Sequence, residues 1–201
     1  IWLMAGSFLI RGTENRLMNR SLLFSPDGQY VAHYDKIHLF DIDLPDGTSQ
    51  KESEIMKPGG DAVLVDTPYG PLGMTICYDI RFSGLYRRLV QAGARVISLP
   101  SAFTVPTGHA HWHTLVRARA IEFGVFIIAP AQCGEHDGGR TTYGHSLIVD
   151  PWGEILAEGD ESPGIIMADL DLDAVERVRG AIPRLQHERD FQLVRYSGIG
   201  L

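Results

Sequence analysis

The sequence predicts an α/β fold in which helices cover the outside of stacked sheets, and two observations carry this. Three strand-turn-strand units are visible, around Pro26-Asp27-Gly28, Pro68-Tyr69-Gly70 and Asp150-Pro151-Trp152-Gly153, and turns of this chemistry join antiparallel strands. Between them, strand patterns alternate with helical patterns, the arrangement of parallel crossovers. A sandwich with mixed pairing accommodates both.

Taken in order, Ile1-Trp2-Leu3-Met4-Ala5-Gly6-Ser7 reads as a buried strand that ends in a small-residue turn. Leu22 to His33 and Ala62 to Cys77 read as hairpins. The apolar run Leu72 to Ile76 then leads through Cys77 into a helix over Gly84 to Ala92, followed by a buried strand at Arg95 to Pro100. Trp112, Leu115, Val116 and Phe123 form one broad stripe at helical spacing between His111 and Phe123, and Val125 to Ala129 is the next strand. Ser146 to Ala157 closes the third hairpin, and Asp173 with Glu176 three residues on is a capping pair for a short helix through Arg179. No repeat, low-complexity stretch or linker divides the chain, so residues 1–201 are expected to form a single domain.

Composition narrows the function. With 201 residues, 44% hydrophobic and 21% charged, the chain can bury a sizeable core. A formal charge of -7, with arginines scattered, offers no basic face for nucleic acid. Apolar runs such as Val125 to Ala131 are too short to span a bilayer and no secretion signal is visible, so a cytoplasmic protein with no membrane partner is the default expectation. The two cysteines, Cys77 and Cys133, are too far apart in context to suggest a disulfide framework.

Cys77 is the first chemical candidate. It ends an apolar strand and precedes the polar turn Tyr78-Asp79-Ile80-Arg81, a strand-turn-helix elbow that would present a thiol, with the helix start and Arg81 favouring the thiolate. The bland alternative is a buried cysteine closing a core strand, and Cys133, with no helix start after it, fits that alternative better. Lys36 sits between apolar and aromatic neighbours in His33-Tyr34-Asp35-Lys36-Ile37-His38-Leu39, where an ammonium could stabilise an oxyanion. Taken alone, most lysines are surface residues.

Together, the segments Tyr34-Asp35-Lys36-Ile37-His38-Leu39-Phe40, Glu52-Ser53 and Gly73-Met74-Thr75-Ile76-Cys77-Tyr78-Asp79-Ile80-Arg81-Phe82 resemble the nitrilase (carbon-nitrogen hydrolase) superfamily. The resemblance runs on through Ala102-Phe103, Gly108, His111-Trp112, Arg117 to Glu122 and Tyr143 to Gly153. It implies a four-layer αββα sandwich and a Glu-Lys-Cys triad, with Cys77 as nucleophile, Lys36 and the Tyr78 backbone N–H on the oxyanion, and Glu52 as a helper near Lys36. It gives Arg81, Phe103, His111, Trp112 and Arg140 as substrate-pocket residues and Glu122 as an internal anchor. No cofactor and no metal are implied, and the partners are a small amide and a second copy of the chain in a homodimer or higher homo-oligomer. The segments Gln132 to His136, Arg140 to Ser146 and Ile182 to His187 are most similar to the branch of deaminated glutathione amidases, with the omega-amidases as neighbours. Both act on an amide of a carboxylate-bearing 2-oxo acid, which Arg81 or Arg140 could hold.

The base glutamate of that triad has no match here, and the resemblance places it before Ile1; the expectation is an N-terminally incomplete chain that is catalytically dead or nearly so. Glu14 takes no role. Two positions depart from the superfamily pattern, His113 where relatives often carry Glu and Phe123 where Asn is common. Two rival readings remain: a zinc site on His109, His111 and His113, of which a helix could pair only the first and third, and an inactive binding module.

Overall fold

The computed structural model describes residues 1–12, 15–43, 47 and 49–196. Glu14 lies outside the described residues. The first three strands, β1 (Leu3–Arg11), β2 (Leu17–Phe24) and β3 (Tyr30–Asp35), form an antiparallel sheet in the order β1-β2-β3. Strand β1 does not end at Gly6-Ser7: it passes through a register shift between Ala5 and Phe8 and continues to pair with β2. A bulge absorbs the small residues that read as a turn. A short hairpin of β4 (Asp41–Asp43) and β5 (Ser49–Lys51) follows.

The larger sheet is mixed. Strands β6 (Val63–Thr67) and β7 (Gly70–Met74) form the expected hairpin; a 3-10 turn, Cys77–Arg81, then leads into helix α1 (Ser83–Gln91) and strand β8 (Val96–Ser98). Helix α2 (Val105–Phe123) connects β8 to β9 (Phe126–Ala129). After a separate hairpin of β10 (Cys133–His136) and β11 (Arg140–Tyr143), β12 (Leu147–Val149) and β13 (Ile155–Glu158) complete the order β13-β12-β9-β8-β7-β6. Pairing is parallel along β7-β8-β9 and antiparallel elsewhere, so the two kinds of connection read from the sequence do meet in one sheet. Helices α3 (Asp173–Ala181) and α4 (Arg184–His187) end the described fold.

The expected α/β class holds. One core joins Leu23 and Tyr34 of the small sheet, Met74, Ile97, Ile127 and Leu147 of the large sheet, and Tyr86, Leu89, Trp112, Val116 and Phe123 of α1 and α2. Sheet faces sheet, and helices cover the other face of the larger one, which accounts for three of the four layers implied above. Leu3, 53% exposed, points away from that core while its neighbours Trp2 and Met4 pack against it, as strand alternation requires. Helix α3 differs from expectation at its start: Asp173 makes no side-chain cap, and its N–H instead donates to Asp171 Oδ1 at 3.2 Å.

Candidate active site

The parallel strands decide where the site lies. Cys77 follows β7, Pro100 to Ala102 follow β8, and Pro130 to Gln132 follow β9; all of them line one cleft of about 540 Å³. A crevice beyond the carboxyl ends of parallel strands is where α/β sheets place ligands, because the chain must turn there and its backbone groups are not consumed by the ladder. The small sheet forms the opposite wall with Gly6, Asn19 and Lys36.

Cys77 is held in the left-handed region at φ 49°. A non-glycine residue pays strain for that conformation, and the surroundings fix it: the Cys77 N–H donates to the Pro100 carbonyl at 3.0 Å, and Asp79, fully buried, gathers the turn around itself. Its Oδ2 accepts from the Tyr34 hydroxyl at 2.7 Å and the Ile76 N–H at 2.8 Å, and its Oδ1 accepts from the His38 N–H at 3.1 Å and lies 2.7 Å from His38 Nδ1. His38 in turn stacks on Phe82, ring centroids 3.6 Å apart. The cysteine turn is thereby tied to the segment that carries Lys36.

Lys36 is 2% exposed. Its Nζ donates to Glu52 Oε2 at 2.6 Å, and the same oxygen accepts from the Phe40 N–H at 2.8 Å. The Lys36 carbonyl accepts from the Gly59 N–H at 2.9 Å; a Cβ at Gly59 would lie 2.2 Å from the Asp35 carbonyl oxygen, so only glycine lets the two segments approach. Burial pushes the Cys77 thiol above its ordinary value, against the opposing pull of Lys36 and of the Ala102 N–H. Arg81 makes its contacts elsewhere: its guanidinium reaches His111 Nδ1 at 3.2 Å and lies over the Tyr78 and Phe103 rings, each at 5.8 Å.

The structure thus brings Cys77, Lys36, Glu52 and Arg140 to one cleft, with Tyr78 next to the thiol along the chain. It does not bring Arg81, Phe103, His111 or Trp112 to the lining of that cleft. Phe103 and Trp112 are core residues with ring centroids 4.8 Å apart, and the Trp112 indole N–H donates to the His145 carbonyl at 2.7 Å. Glu122 accepts from Arg119 at 2.9 Å and Arg184 at 3.1 Å, an anchor between α2 and α4 that lies off the cleft. Sequence reading gave no role to Asp79, Tyr34 and His38; the only signal was a carboxylate two positions after the cysteine, indistinguishable there from a turn residue. Asn19 and Gln132 were equally silent.

Comparison with known proteins gives the family and the fold. The carbon-nitrogen hydrolase family matches residues 1–180. The mouse protein named deaminated glutathione amidase is 44% identical over 194 residues, covering 94% of this chain and 60% of its own length. The crystal structure of the C. elegans NitFhit protein superposes with TM-score 0.88 at 42% identity, over 94% of this chain and 47% of that one. That of Saccharomyces cerevisiae Nit3, a member of branch 10 of the nitrilase superfamily, gives 0.82 at 36% identity, over 91% and 64%. The chain therefore spans about three fifths of the mouse relative and less of NitFhit. With the family matched over most of its length and its cysteine and lysine converging on one cleft, this chain belongs to the carbon-nitrogen hydrolase family.

Proposed function

We propose that the protein is an amidase that hydrolyses a small carboxamide through Cys77, and the observation that carries this is the convergence of a strained cysteine elbow and a buried lysine on one cleft. The Cys77 sulfur adds to the carboxamide carbon while Lys36 and the Tyr78 N–H meet the oxyanion; the proton given up by the thiol passes to the amide nitrogen, the C–N bond breaks and ammonia leaves, and water then hydrolyses the thioester to the carboxylic acid and restores the thiol. Among the described residues, Glu52 is the carboxylate lining the cleft. Its Oε2 is already occupied by Lys36 and the Phe40 N–H, so its part is to position Lys36.

Arg140 at the cleft rim supplies a cationic contact for a substrate carboxylate, and a 2-oxo acid amide of the deaminated glutathione type is the favoured substrate, in keeping with the mouse relative's name. An omega-amidase reaction, the alternative, uses the same arrangement on another carboxylate-bearing 2-oxo acid amide. The protein acts as a homodimer in the cytoplasm: Phe191, Leu193 and Tyr196 of the tail are each at least 87% exposed, an apolar set suited to a second copy, and no described helix is long and apolar enough to cross a membrane.

Ammonia release from a 2-oxo acid amide tests the reading. In the full-length protein, Cys77→Ala abolishes turnover and Cys133→Ala, a change in the β10 hairpin, keeps most of it; equal loss from both removes Cys77 from its role. Arg140→Ala raises KM for carboxylate-bearing amides and leaves simple amides unchanged.

A further inference from the structure

A second cluster of chemistry-bearing side chains lies outside the thiol site. Helix α2 carries His113, the turn between β11 and β12 carries His145, and the last residue of β13 is Glu158, paired in register with Leu147. His113 Nε2 lies 2.8 Å and His145 Nδ1 3.1 Å from Glu158 Oε1, and one ligand atom from each of the three lies within 4.8 Å of the others. Zinc bonds of about 2.0–2.1 Å in a tetrahedral shell separate ligand atoms by roughly 3.3 Å, so these side chains need shift only slightly to enclose an ion.

The surroundings hold them in place. His145 sits in the left-handed region at φ 56°; its N–H donates to the Asp160 carbonyl at 3.0 Å and its carbonyl accepts from Trp112 at 2.7 Å. The Tyr143 ring stacks on His145 at 4.4 Å and meets His113 edge-on at 6.2 Å. Glu161 stands 3.9 Å from His145 Nε2, the nitrogen turned away from Glu158, too far for a hydrogen bond but near enough to add negative charge beside the cluster. Side-chain exposures of 32%, 21% and 38% for His113, His145 and Glu158 leave the cluster open to a hydrated ion.

We propose that His113, His145 and Glu158 bind a divalent transition-metal ion of the zinc class, with water completing the shell. Two imidazoles and a carboxylate suit zinc, cobalt or nickel better than magnesium or calcium, and two nearby carboxylates balance a double positive charge. The sequence hinted only at His109, His111 and His113 on one helix; the fold separates that trio and supplies His113 with partners 32 and 45 residues away. The ion fastens α2 to the end of β13. Ser146, next to His145, and Gly164, six residues beyond Glu158, both line the Cys77 cleft, so the clip steadies one rim of it without entering the reaction.

The test uses tag-free, chelator-stripped protein with zinc chloride or cobalt chloride alone. Calorimetry should give one zinc per chain. Saturating zinc, about a hundredfold above Kd, should raise Tm by roughly 5–10 °C. His113→Asn, His145→Asn and Glu158→Gln should each weaken binding at least about tenfold and remove about half or more of the thermal shift at the same zinc concentration, with circular dichroism confirming the fold; asparagine is chosen at 145 because it tolerates the left-handed backbone. Cobalt should show visible bands without thiolate charge transfer. Absence of saturable binding, binding unchanged in the folded variants, or a thiolate band assigning the ion to cysteine would each overturn the site.

Discussion

Asp79 is the side chain on which the cysteine turn and the lysine segment meet, and its loss would be felt twice. Replacement by alanine leaves the Tyr34 hydroxyl and the Ile76 and His38 N–H groups without their acceptor in a buried place, at roughly 1–3 kcal/mol for each unsatisfied group. Asp79→Ala should therefore cost about 3 kcal/mol or more in urea unfolding and disorder the thiol; a variant as stable as the parent would show that these bonds do not matter. Lys36→Ala should slow the chemical step by roughly 100-fold or more, as for a lost oxyanion donor, and arginine should not restore it because its planar fork cannot occupy the same point. Glu52→Gln, which keeps an acceptor but removes the charge beside Nζ, should lower kcat less than Lys36→Ala does. The reverse order in single-turnover kinetics would make Glu52 the reacting group.

At the scale of elements, Gly108 shows how tertiary packing reverses a local preference. Glycine to alanine inside a helix ordinarily stabilises by about 1 kcal/mol. In α2, however, a Cβ at Gly108 would come 2.1 Å from the Tyr143 ring of β11, and overpacking costs typically 1–3 kcal/mol. Gly108→Ala should lower Tm, whereas Gly84→Ala in α1, where nothing lies within 4 Å, should raise it slightly. Thermal melts of the two variants separate helix propensity from packing; a stabilised Gly108→Ala would mean that α2 and β11 do not pack this closely.

The whole molecule carries its alkaline limit in its buried acids. Burial pushes the Cys77 thiol and the Tyr34 and Tyr86 phenols above their ordinary values. Below about pH 8.5 these groups are neutral in folded and unfolded chains alike, and their contribution to stability is fully present. As pH rises, the unfolded chain ionises first, at about 8.5 for the thiol and about 10 for the phenols, so stability falls until the folded groups also titrate. Urea midpoints should drop between pH 8 and 10.5, and Cys77→Ala should lessen the early part of the drop; a flat profile would contradict the burial of all three. In the same sense, iodoacetamide should alkylate Cys77 of the resting protein more slowly than a free thiol at pH 7.5. Sedimentation at micromolar concentration should show a dimer that Phe191→Asp with Leu193→Asp dissociates.

Much of this was legible in the chain. The three hairpins, α1, α2 and the strands between them follow from turn residues and apolar periodicity, which act over a few neighbours and survive in any context. The pairing of Cys77 with Lys36 came through resemblance, since the two are 41 positions apart and nothing local joins them. What the sequence could not contain was the set of approaches made by the folded sheets. The bulge that carries β1 past Gly6-Ser7, the inward turn of Asp79, the removal of Trp112 and Phe103 into the core, and the meeting of His113 with His145 and Glu158 all depend on which faces the two sheets and α2 present to one another. Local propensity fixes the period of an element; close packing over long sequence separations decides its partners, and the chemistry of this chain depends on those partners.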